Sequence, residues 1–418
     1  MLKNNYICAL DIGSSKIAVA VAVLGKRHIV DLVFDTAVSK GVRRGAIVDS
    51  IELTSCVSAL LKNVRAKSGL TIKTVYTDIS GSDIVSRRSR AIIPLAERGN
   101  KVITYSDIRK ANEQARILGS SLEEEILHQI PAGYTIDSKG GILNPLGLYS
   151  HKLEVDLYLV CAKVSSLQSL ARALGQAGYE IKGVFFSGLA TSEAIMRKED
   201  KKGVTVLCDI GRDITEIILF NGGLLQDIKI LPLGGEDLSM QIVQELKIPL
   251  GLAEEVLRSH ASVGDYAHIK EESQILIKQN NFYKPIKQKA LSQILTTKTA
   301  AMCLGIKESV EKLLPLDQID TFIVSGRAVM LDGFLEMLES NIGISVTLGR
   351  ITHPDMAQLV NNNSALSGQK CLTYLTSLGI ISEALRKQRP RFLSDAPPPP
   401  NLMAKLVHKV KEVYQEYF

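Results

Sequence analysis

The sequence has little of what marks several large classes of protein. Its six cysteines include no CxxC pair, so neither a zinc cage nor a disulfide framework is indicated. Reduced thiols in a cytoplasmic compartment are the expected state. The formal charge of +6 is small for 418 residues and is spread along the chain, which gives no support for a nucleic-acid partner.

Long apolar runs are also missing. The longest, residues 17–24, is far too short to cross a bilayer, and Asp11 comes too early for a secretory signal. Any membrane contact is therefore expected to be peripheral. With 45% hydrophobic residues the chain can still bury a sizeable core, in two or more domains or in one domain with insertions.

One short pattern occurs twice. "ALDIGSSKIAVAV" begins at Ala9 and "LCDIGRDITEIIL" begins at Leu207, and each predicts a strand, a tight polar turn and a second strand. Apolar residues recur at helical spacing in four other segments, which are residues 51–68, 106–118, 166–177 and 189–198. The chain is therefore predicted to be a mixed α/β protein with repeated sheet units.

The first turn has the residues that a phosphate chain requires. Gly13 permits a tight turn with backbone N–H groups facing inward, and Ser14 and Ser15 add hydroxyl donors. Lys16 can sit against a phosphate, while Asp11 can hold the water shell of Mg²⁺. A single DxG turn is more often an ordinary hairpin, because short motifs match by chance.

Two copies in equivalent strand contexts favour the functional interpretation. Facing turns would grip a triphosphate from both sides, with Asp209 as the second carboxylate that holds the water shell of the metal ion. The two aspartates stand 198 residues apart. Mg²⁺ and a nucleotide such as ATP are therefore the expected ligands.

The end of the chain has a different composition. Residues 389–400 form a basic and then proline-rich linker, which is expected to be extended. Residues 401–418 predict an amphipathic helix, which would either dock on the domain core or bind a membrane surface; the spacer favours the membrane. Its apolar stripe comprises Leu402, Met403, Leu406, Val410, Val413, Tyr414 and Tyr417.

These motifs resemble the actin-like ATPases and, among them, the bacterial cell-division family FtsA. "LDIGSSKIAV" is similar to the first phosphate motif of the family, and "FSGLATSEAIM" and "TSLGIISEAL" are similar to its two connecting helices. "EEEILHQIPAGYTIDSKGGILNPLGL" resembles part of the module that FtsA carries in place of an actin subdomain. The resemblance extends over nearly the whole chain.

The resemblance implies an actin-like fold, with two RNase H-like subdomains facing a nucleotide cleft, a small inserted α/β subdomain and a C-terminal amphipathic helix. Subdomain 1A would comprise residues 1–82, 164–198 and 364–388, and the inserted subdomain 1C, of SHS2 type, residues 83–163. Subdomain 2A would comprise residues 199–234 and 300–363, and subdomain 2B residues 235–299.

The resemblance also assigns further nucleotide contacts. It selects Gly211 and Thr215 in the second phosphate motif. It also places Gly234 and Gly235 beside the sugar and assigns Glu254 to contact with the ribose. The adenosine motif keeps Gly326 but has Arg327 where a glycine is usual, and arginine can stack on a purine face. Leu257 stands where the family usually has a lysine.

The second phosphate motif departs at Arg212 and Asp213 from the family pattern, which has glycines and threonines after DIG. A carboxylate facing the terminal phosphate costs on the order of 1–4 kcal/mol, unless Arg212 or the metal offsets it. Either the affinity falls or Asp213 points away. We therefore expect nucleotide binding with slow hydrolysis or none. Ser187, Thr191 and Glu193 are the candidates for orienting a water, and none is expected to be a catalytic base.

By resemblance the protein would polymerise and tether the ring of the tubulin-like protein FtsZ to the cytoplasmic face of the inner membrane during septum formation. The FtsZ tail would bind subdomain 2B, whose lysines include Lys278, Lys284, Lys287 and Lys289, and later division proteins would bind subdomain 1C. Without the resemblance, these lysines indicate a solvated helical face. One alternative is a PilM-like pilus-assembly scaffold, which the terminal helix disfavours. The other is an ATP-dependent small-molecule kinase, which the crowded second turn disfavours.

Overall fold

The DIG hairpins lie at the centres of two matching sheets. The computed structural model describes residues 5–388 apart from residues 27, 97–98, 198, 201, 268, 280–281, 364–365 and 367. The first elements are β1 (Tyr6–Ile12), β2 (Lys16–Leu24), β3 (Ile29–Val38), β4 (Val42–Arg43), β5 (Ala46–Ile47), α1 (Ser50–Ser68) and β6 (Thr74–Ile79). They are followed by β7 (Ile84–Pro94), β8 (Lys101–Val102), α2 (Tyr105–Leu118), β9 (Glu124–Ile136), β10 (Lys139–Ile142), β11 (Tyr149–Ser150) and β12 (Lys152–Lys163).

The second half of the chain repeats the alternation of strands and helices. It begins with α3 (Val164–Gln176), β13 (Glu180–Phe186), α4 (Ser187–Ile195), β14 (Val204–Ile210), β15 (Thr215–Asn221) and β16 (Leu224–Leu231). It continues with α5 (Gly235–Leu246), α6 (Leu250–His260), β17 (Gln274–Gln279), β18 (Phe282–Lys287) and α7 (Gln288–Glu311). Last come β19 (Thr321–Ser325), α8 (Phe334–Ile342), β20 (Val346–Leu348), α9 (Pro354–Asn361) and α10 (Leu375–Gln388).

The two five-stranded sheets have the same topology. Their strand orders are β3-β2-β1-β6-β13 and β16-β15-β14-β19-β20. In each, the hairpin pairs are antiparallel and the next two pairs are parallel. Asp11 faces Ala18 and Asp209 faces Glu216, so both aspartates occupy the same register position, the second-last residue of the strand before the turn. The predicted sequence repeat is thus confirmed as a repeated sheet.

Apolar runs without alternation account for the central strands. Residues 17–22 of β2 are fully buried, as expected of a strand covered on both faces. Helix α1 covers this sheet with Leu53, Val57 and Leu60. Asp49 caps its start by accepting two backbone N–H groups, and Gly69 ends it in the left-handed region at φ 70°.

The predicted helices at residues 51–68, 106–118 and 166–177 are confirmed within two residues at their starts. The fourth is shorter than predicted, because α4 ends at Ile195 and Met196 takes an extended backbone at ψ 123°. Beyond it, the Arg197 N–H donates to Asp200 at 2.7 Å and its guanidinium pairs with the same carboxylate. Asp200 therefore engages the chain where the helical pattern would otherwise continue.

Between β6 and α3 lies a separate small sheet of order β10-β9-β12-β7, with α2 packed on it. Its own core includes Ala111, Ala115, Leu153 and Leu157. Thr104 begins α2 with a reciprocal capping box. This arrangement agrees with a module inserted near residues 83–163.

Helix α5 packs on α6 and α7, and α6 contacts β17 of the β17–β18 hairpin. Helix α7 follows the hairpin and runs unbroken through residue 299, so the predicted boundary between subdomains 2B and 2A falls inside a helix. Helix α10 packs on α4 and β1, which brings the last described element against the first sheet.

Candidate functional site

Both DIG turns open onto one cavity of about 660 Å³, which lies between the two five-stranded sheets. Asp11 reaches it from the first turn and Asp209 from the second. The predicted nucleotide contacts that line it are Asp11, Gly13, Ser14, Ser15, Lys16, Asp209, Gly211, Gly235, Glu254, Gly326 and Arg327. The repeated sequence therefore forms two facing loops around a shared space.

The first turn is closed by its own backbone. The Gly13 N–H donates to the Lys16 carbonyl at 3.0 Å. The Lys16 ammonium lies 2.6 Å from the Asp11 carboxylate, and both side chains are mostly buried. The Ser14 hydroxyl accepts the Gly45 N–H at 3.3 Å. Asp11 and Lys16 thus neutralise each other at the position where a phosphate would compete for the lysine.

The two unusual residues of the second turn are both engaged. The Arg212 guanidinium pairs with Glu236 at 3.2 Å and with Glu254 at 2.7 Å, which directs it towards α5 and α6. The Asp213 carboxylate, only 3% exposed, accepts the Arg44 N–H at 2.7 Å from the facing subdomain. Asp213 still lines the cavity, so it does not point away from it, and its carboxylate is held by the turn between β4 and β5.

A buried carboxylate that the sequence analysis missed lies beside Asp11. Asp78 is 4% exposed, and accepts the Ile12 N–H at 2.9 Å and the Ser187 hydroxyl at 2.6 Å. Burial, and then the charge of Asp11, raise the pKa of Asp78 to about 7. Burial also raises the pKa of Asp209 to about 6.

Glu216, the cross-strand neighbour of Asp209, is a second missed residue. Burial, and then the charge of Asp209, raise the pKa of Glu216 well above its usual range. Its carboxylate accepts the Ser80 hydroxyl from the facing subdomain. An acid inside an apolar strand, as in "VYTDIS" and "TEIILF", is the sequence signal for Asp78 and Glu216, because such residues are rarely buried without a partner or a function.

Two predicted nucleotide contacts are placed behind the cavity wall. The Thr215 side chain is fully buried and its hydroxyl donates to the Leu233 carbonyl at 2.9 Å. Gly234 lies so close to the second turn that a Cβ would stand 2.4 Å from the Arg212 carbonyl oxygen. In this conformation both residues support the turn from outside the cavity.

The three residues expected to orient a water differ in their position relative to the cavity. Ser187 and Thr191 line the cavity, but both hydroxyls are occupied, by Asp78 and by the Thr376 hydroxyl at 3.0 Å. Glu193 is not among the lining residues.

The adenosine loop makes close contact with both turns. Gly326 has φ 94°, and a Cβ there would lie 2.2 Å from the Ile210 carbonyl oxygen. The next residue, Arg327, donates through Nη1 to the Ser15 hydroxyl at 3.2 Å. Leu257 lines the same cavity. Arg327 therefore reaches the first phosphate loop in the facing subdomain.

The donor set agrees with a magnesium ion held through water. Among the described residues, no three His, Cys, Asp or Glu side chains converge closely enough to hold a metal ion directly. Asp11 and Asp209 face one cavity from opposite turns. Mg²⁺ keeps most of its waters and binds to phosphate oxygens, so two carboxylates at the wall of a phosphate-sized space fit it.

Two of the four lysines expected to bind a partner are already engaged. Lys284 donates to the Leu246 carbonyl at 2.6 Å. Lys289 pairs with Glu271. These two side chains are thus committed within their own subdomain.

The other two lie on the solvent side of the β17–β18 hairpin. We call this the outer hairpin face and define it by Leu276, Lys278, Tyr283 and Lys287. The pairing of Lys278 with Tyr283 and the alternation of the strands place all four on one side. Leu276 is 64% exposed and Tyr283 is 65% exposed.

The predicted membrane-binding residues, from Leu402 to Tyr417, lie outside the described residues, as does the linker at 389–400. Within the described part of the chain, no helix combines the length and apolar character needed to span a bilayer.

Comparison with known families gives two matches. The family model described as "SHS2 domain inserted in FTSA" matches residues 81–161, and the one described as "Cell division protein FtsA" matches residues 206–368. Cell division protein FtsA of Borreliella burgdorferi is 25% identical over 353 residues, covering 83% of this chain and 85% of that one. FtsA of Bacillus subtilis is 24% identical over 391 residues, covering 93% and 86%.

Solved structures share the actin-like fold. The PilM-PilN type IV pilus biogenesis complex aligns with a TM-score of 0.63 at 18% identity, over 93% of this chain and all of that one. MreB5 of Spiroplasma citri bound to ADP aligns with a TM-score of 0.51 at 10% identity, over 91% and 97%. Both likenesses bear on the fold alone.

Proposed function

The chain belongs to the FtsA family of bacterial cell-division proteins, and from that premise we propose that it is a nucleotide-binding actin-like scaffold that links FtsZ to the inner membrane. One observation carries the proposal, namely that Asp11 and Asp209 open from matched turns onto one cavity. The ligand is Mg·ATP or Mg·ADP. The ADP named for MreB5 of similar fold supports this choice.

The residues of the cleft suit binding better than turnover. Lys16 can exchange Asp11 for a phosphate oxygen, and Ser14 and Ser15 can donate beside it. Bound Mg²⁺ supplies positive charge to the phosphates, while Asp11 and Asp209 hold its waters. With Ser187 and Thr191 engaged elsewhere, hydrolysis is slow at most.

The nucleotide acts on conformation in this proposal. Contacts among the described residues join the subdomains across the cleft, and they pair Arg44 with Asp213, Ser80 with Glu216, and Ser15 with Arg327. A ligand that fits the closed cleft favours this state by its differential affinity. Closure then presents the surfaces that contact neighbouring copies in a filament.

Calorimetric titration with ATP and ADP at millimolar Mg²⁺ tests the nucleotide site. Saturable binding is expected for the native protein, and a large loss for the double variant Asp11→Asn and Asp209→Asn. The exposed Asp317→Asn, which removes the same charge elsewhere, serves as the control. Absence of a saturable signal in the native protein would reduce the cleft to a structural remnant.

The FtsZ tail would dock on the outer hairpin face, where exposed apolar groups alternate with lysines. The double variant Lys278→Glu and Lys287→Glu is expected to weaken binding of an FtsZ tail peptide at least tenfold. Lys62→Glu, on the exposed side of α1, gives a matched charge reversal far from the hairpin. Equal affinity of the double variant and the native chain contradicts this docking site.

Attachment to the cytoplasmic face of the membrane, at the division site, is assigned to residues 401–418. Vesicles containing anionic lipid should sediment with the full chain, and truncation after Asp395 should abolish this. Unchanged sedimentation after truncation excludes the tether and favours a pilus-type scaffold, whose fold is also similar. The inserted subdomain would recruit later division proteins.

A coupled assay over sugars and carboxylates tests the kinase alternative. Turnover of any of these substrates would favour a kinase, and we expect no turnover.

A further inference from the structure

The cavity contains an unusual balance of charge. Among the described residues, eight carboxyl side chains and four cationic side chains line it. A nucleoside polyphosphate is itself strongly anionic, so such a cavity needs positive charge that is free to meet it.

Two of the four cations are already neutralised. Lys16 is paired with Asp11, and Arg212 is paired with both Glu236 and Glu254. A phosphate gains little from Arg212, because the two glutamates hold its guanidinium on the α5 and α6 side.

The other two cations, Arg258 and Arg327, are different. In the part of the chain that the structure describes, neither has a carboxylate at ion-pair distance. They are close enough to influence each other, because burial and then the charge of Arg258 lower the pKa of Arg327, while the charge of Glu254 opposes this shift. Both arginines are exposed to the cleft, and the nearest opposite charge, Glu254, is already paired with Arg212. An anion bound in the cavity would therefore be a partner for both guanidinium groups.

The position of Arg327 identifies the anion. Its Nη1 lies 3.2 Å from the Ser15 hydroxyl of the first phosphate loop. Its backbone follows Gly326, where a Cβ would lie 2.6 Å from the Asp209 carboxylate. The guanidinium is thus anchored on the wall that carries one DIG turn and reaches the other.

We propose that Arg327 and Arg258 form a guanidinium clamp on the phosphates of the bound nucleotide. The clamp rests on the proposed nucleotide site and reassigns Arg327 from the purine to the phosphates. It supplies the charge that the second phosphate loop, with Arg212 tied to glutamates and Asp213 in place of a small residue, does not provide. The loss of a glycine at 327 is then a compensation for the altered second turn.

Equilibrium titration at millimolar Mg²⁺ with ADP, ATP and adenosine tests the clamp. Arg327→Gln and Arg258→Gln should each weaken ADP binding about tenfold and leave adenosine binding unchanged, because adenosine has no phosphate. Arg327→Lys should recover part of the loss. Arg90→Gln, an exposed arginine on the inserted sheet, is the matched control and should bind as the native protein does.

Salt dependence gives a second measurement. The affinity of the native protein for ADP should fall more steeply with salt than that of Arg327→Gln, since one charge contact is missing in the variant.

The outcomes separate the two proposals. If the native protein binds ADP and both glutamine variants bind it equally well, the clamp is wrong and the nucleotide site stands. Tighter ADP binding by Arg327→Gly would also overturn the clamp, because the side chain would then obstruct the cleft. If the native protein binds no nucleotide, both proposals fail.

Discussion

Replacing Asp213 by alanine separates two roles of a carboxylate in the second phosphate turn. The residue either repels the phosphate or ties the two subdomains together. Its Oδ2 accepts the Arg44 N–H at 2.7 Å, and Arg44 itself has φ 49°, a conformation that side chains other than glycine rarely adopt. Loss of the carboxylate leaves this strained turn without its acceptor.

The two roles predict effects of different kind and size. Hydrogen bonds to charged groups contribute about 1.5–3 kcal/mol. Asp213 Oδ1 has no hydrogen-bond partner among the described residues and only a long ion pair with Arg212 at 3.5 Å, so removing this buried oxygen offsets part of the loss. We expect Asp213→Ala to lower the free energy of unfolding by about 1–2 kcal/mol and to change ADP affinity less than about threefold. Relief of phosphate repulsion would instead raise affinity by about 1–4 kcal/mol, or about fivefold to about a thousandfold.

Urea denaturation and ADP titration of the same preparations decide between them. Asp317→Ala removes an exposed acid and should alter neither quantity. A tenfold or larger gain in ADP affinity with unchanged stability would show that the Asp213 carboxylate opposes the phosphates, and the inference drawn from its bond to Arg44 would be wrong.

Three further substitutions test individual contacts within the fold. Because burial raises the pKa of Asp78 from 3.8 to about 7, the folded state retains a proton between these pH values that the unfolded state has lost. The contribution of protonated Asp78 to the free energy of unfolding is therefore largest below pH 3.8 and is lost as pH rises to about 7. Asp78→Asn, which imitates the protonated form, should flatten this dependence in urea midpoints measured between pH 5 and 8, and an unchanged slope would contradict the assignment. Gly326→Ala should destabilise the fold by about 1–3 kcal/mol in thermal melts, because a side chain at φ 94° meets the second turn; a wild-type melting temperature would show that the loop adjusts. Tyr158→Phe should cost about 1–2 kcal/mol in urea midpoints, because the hydroxyl donates to Asp227 at 3.0 Å between the inserted sheet and β16; no change would mean that this contact is not stabilising.

The fold was predictable because it repeats itself. Each half carries an apolar strand with an aspartate near its end, a short turn and a second apolar strand, and the local hydrophobic pattern is sufficient to predict such a hairpin. Helix α1, whose buried residues Leu53, Val57, Leu60 and Val64 recur every three or four positions, was predicted to within a residue. The end of α4 was not predicted correctly, because Asp200 accepts the Arg197 N–H just beyond the helix, and the hydrophobic periodicity gives no sign of this contact.

The site was less predictable than the fold, because its chemistry depends on pairs that only the assembled cleft creates. Arg212, Asp213 and Arg327 were recognised as departures from the family pattern, but their partners Glu254, Arg44 and Ser15 lie between 42 and 312 residues away in sequence. A residue's type limits which contacts it can make, whereas the facing subdomain decides which contact forms. A substitution in one phosphate turn therefore has to be interpreted together with the opposite wall of the cleft. The proposed clamp depends on both walls, because Arg327 would supply to the phosphates the charge that Arg212, paired with Glu254, does not.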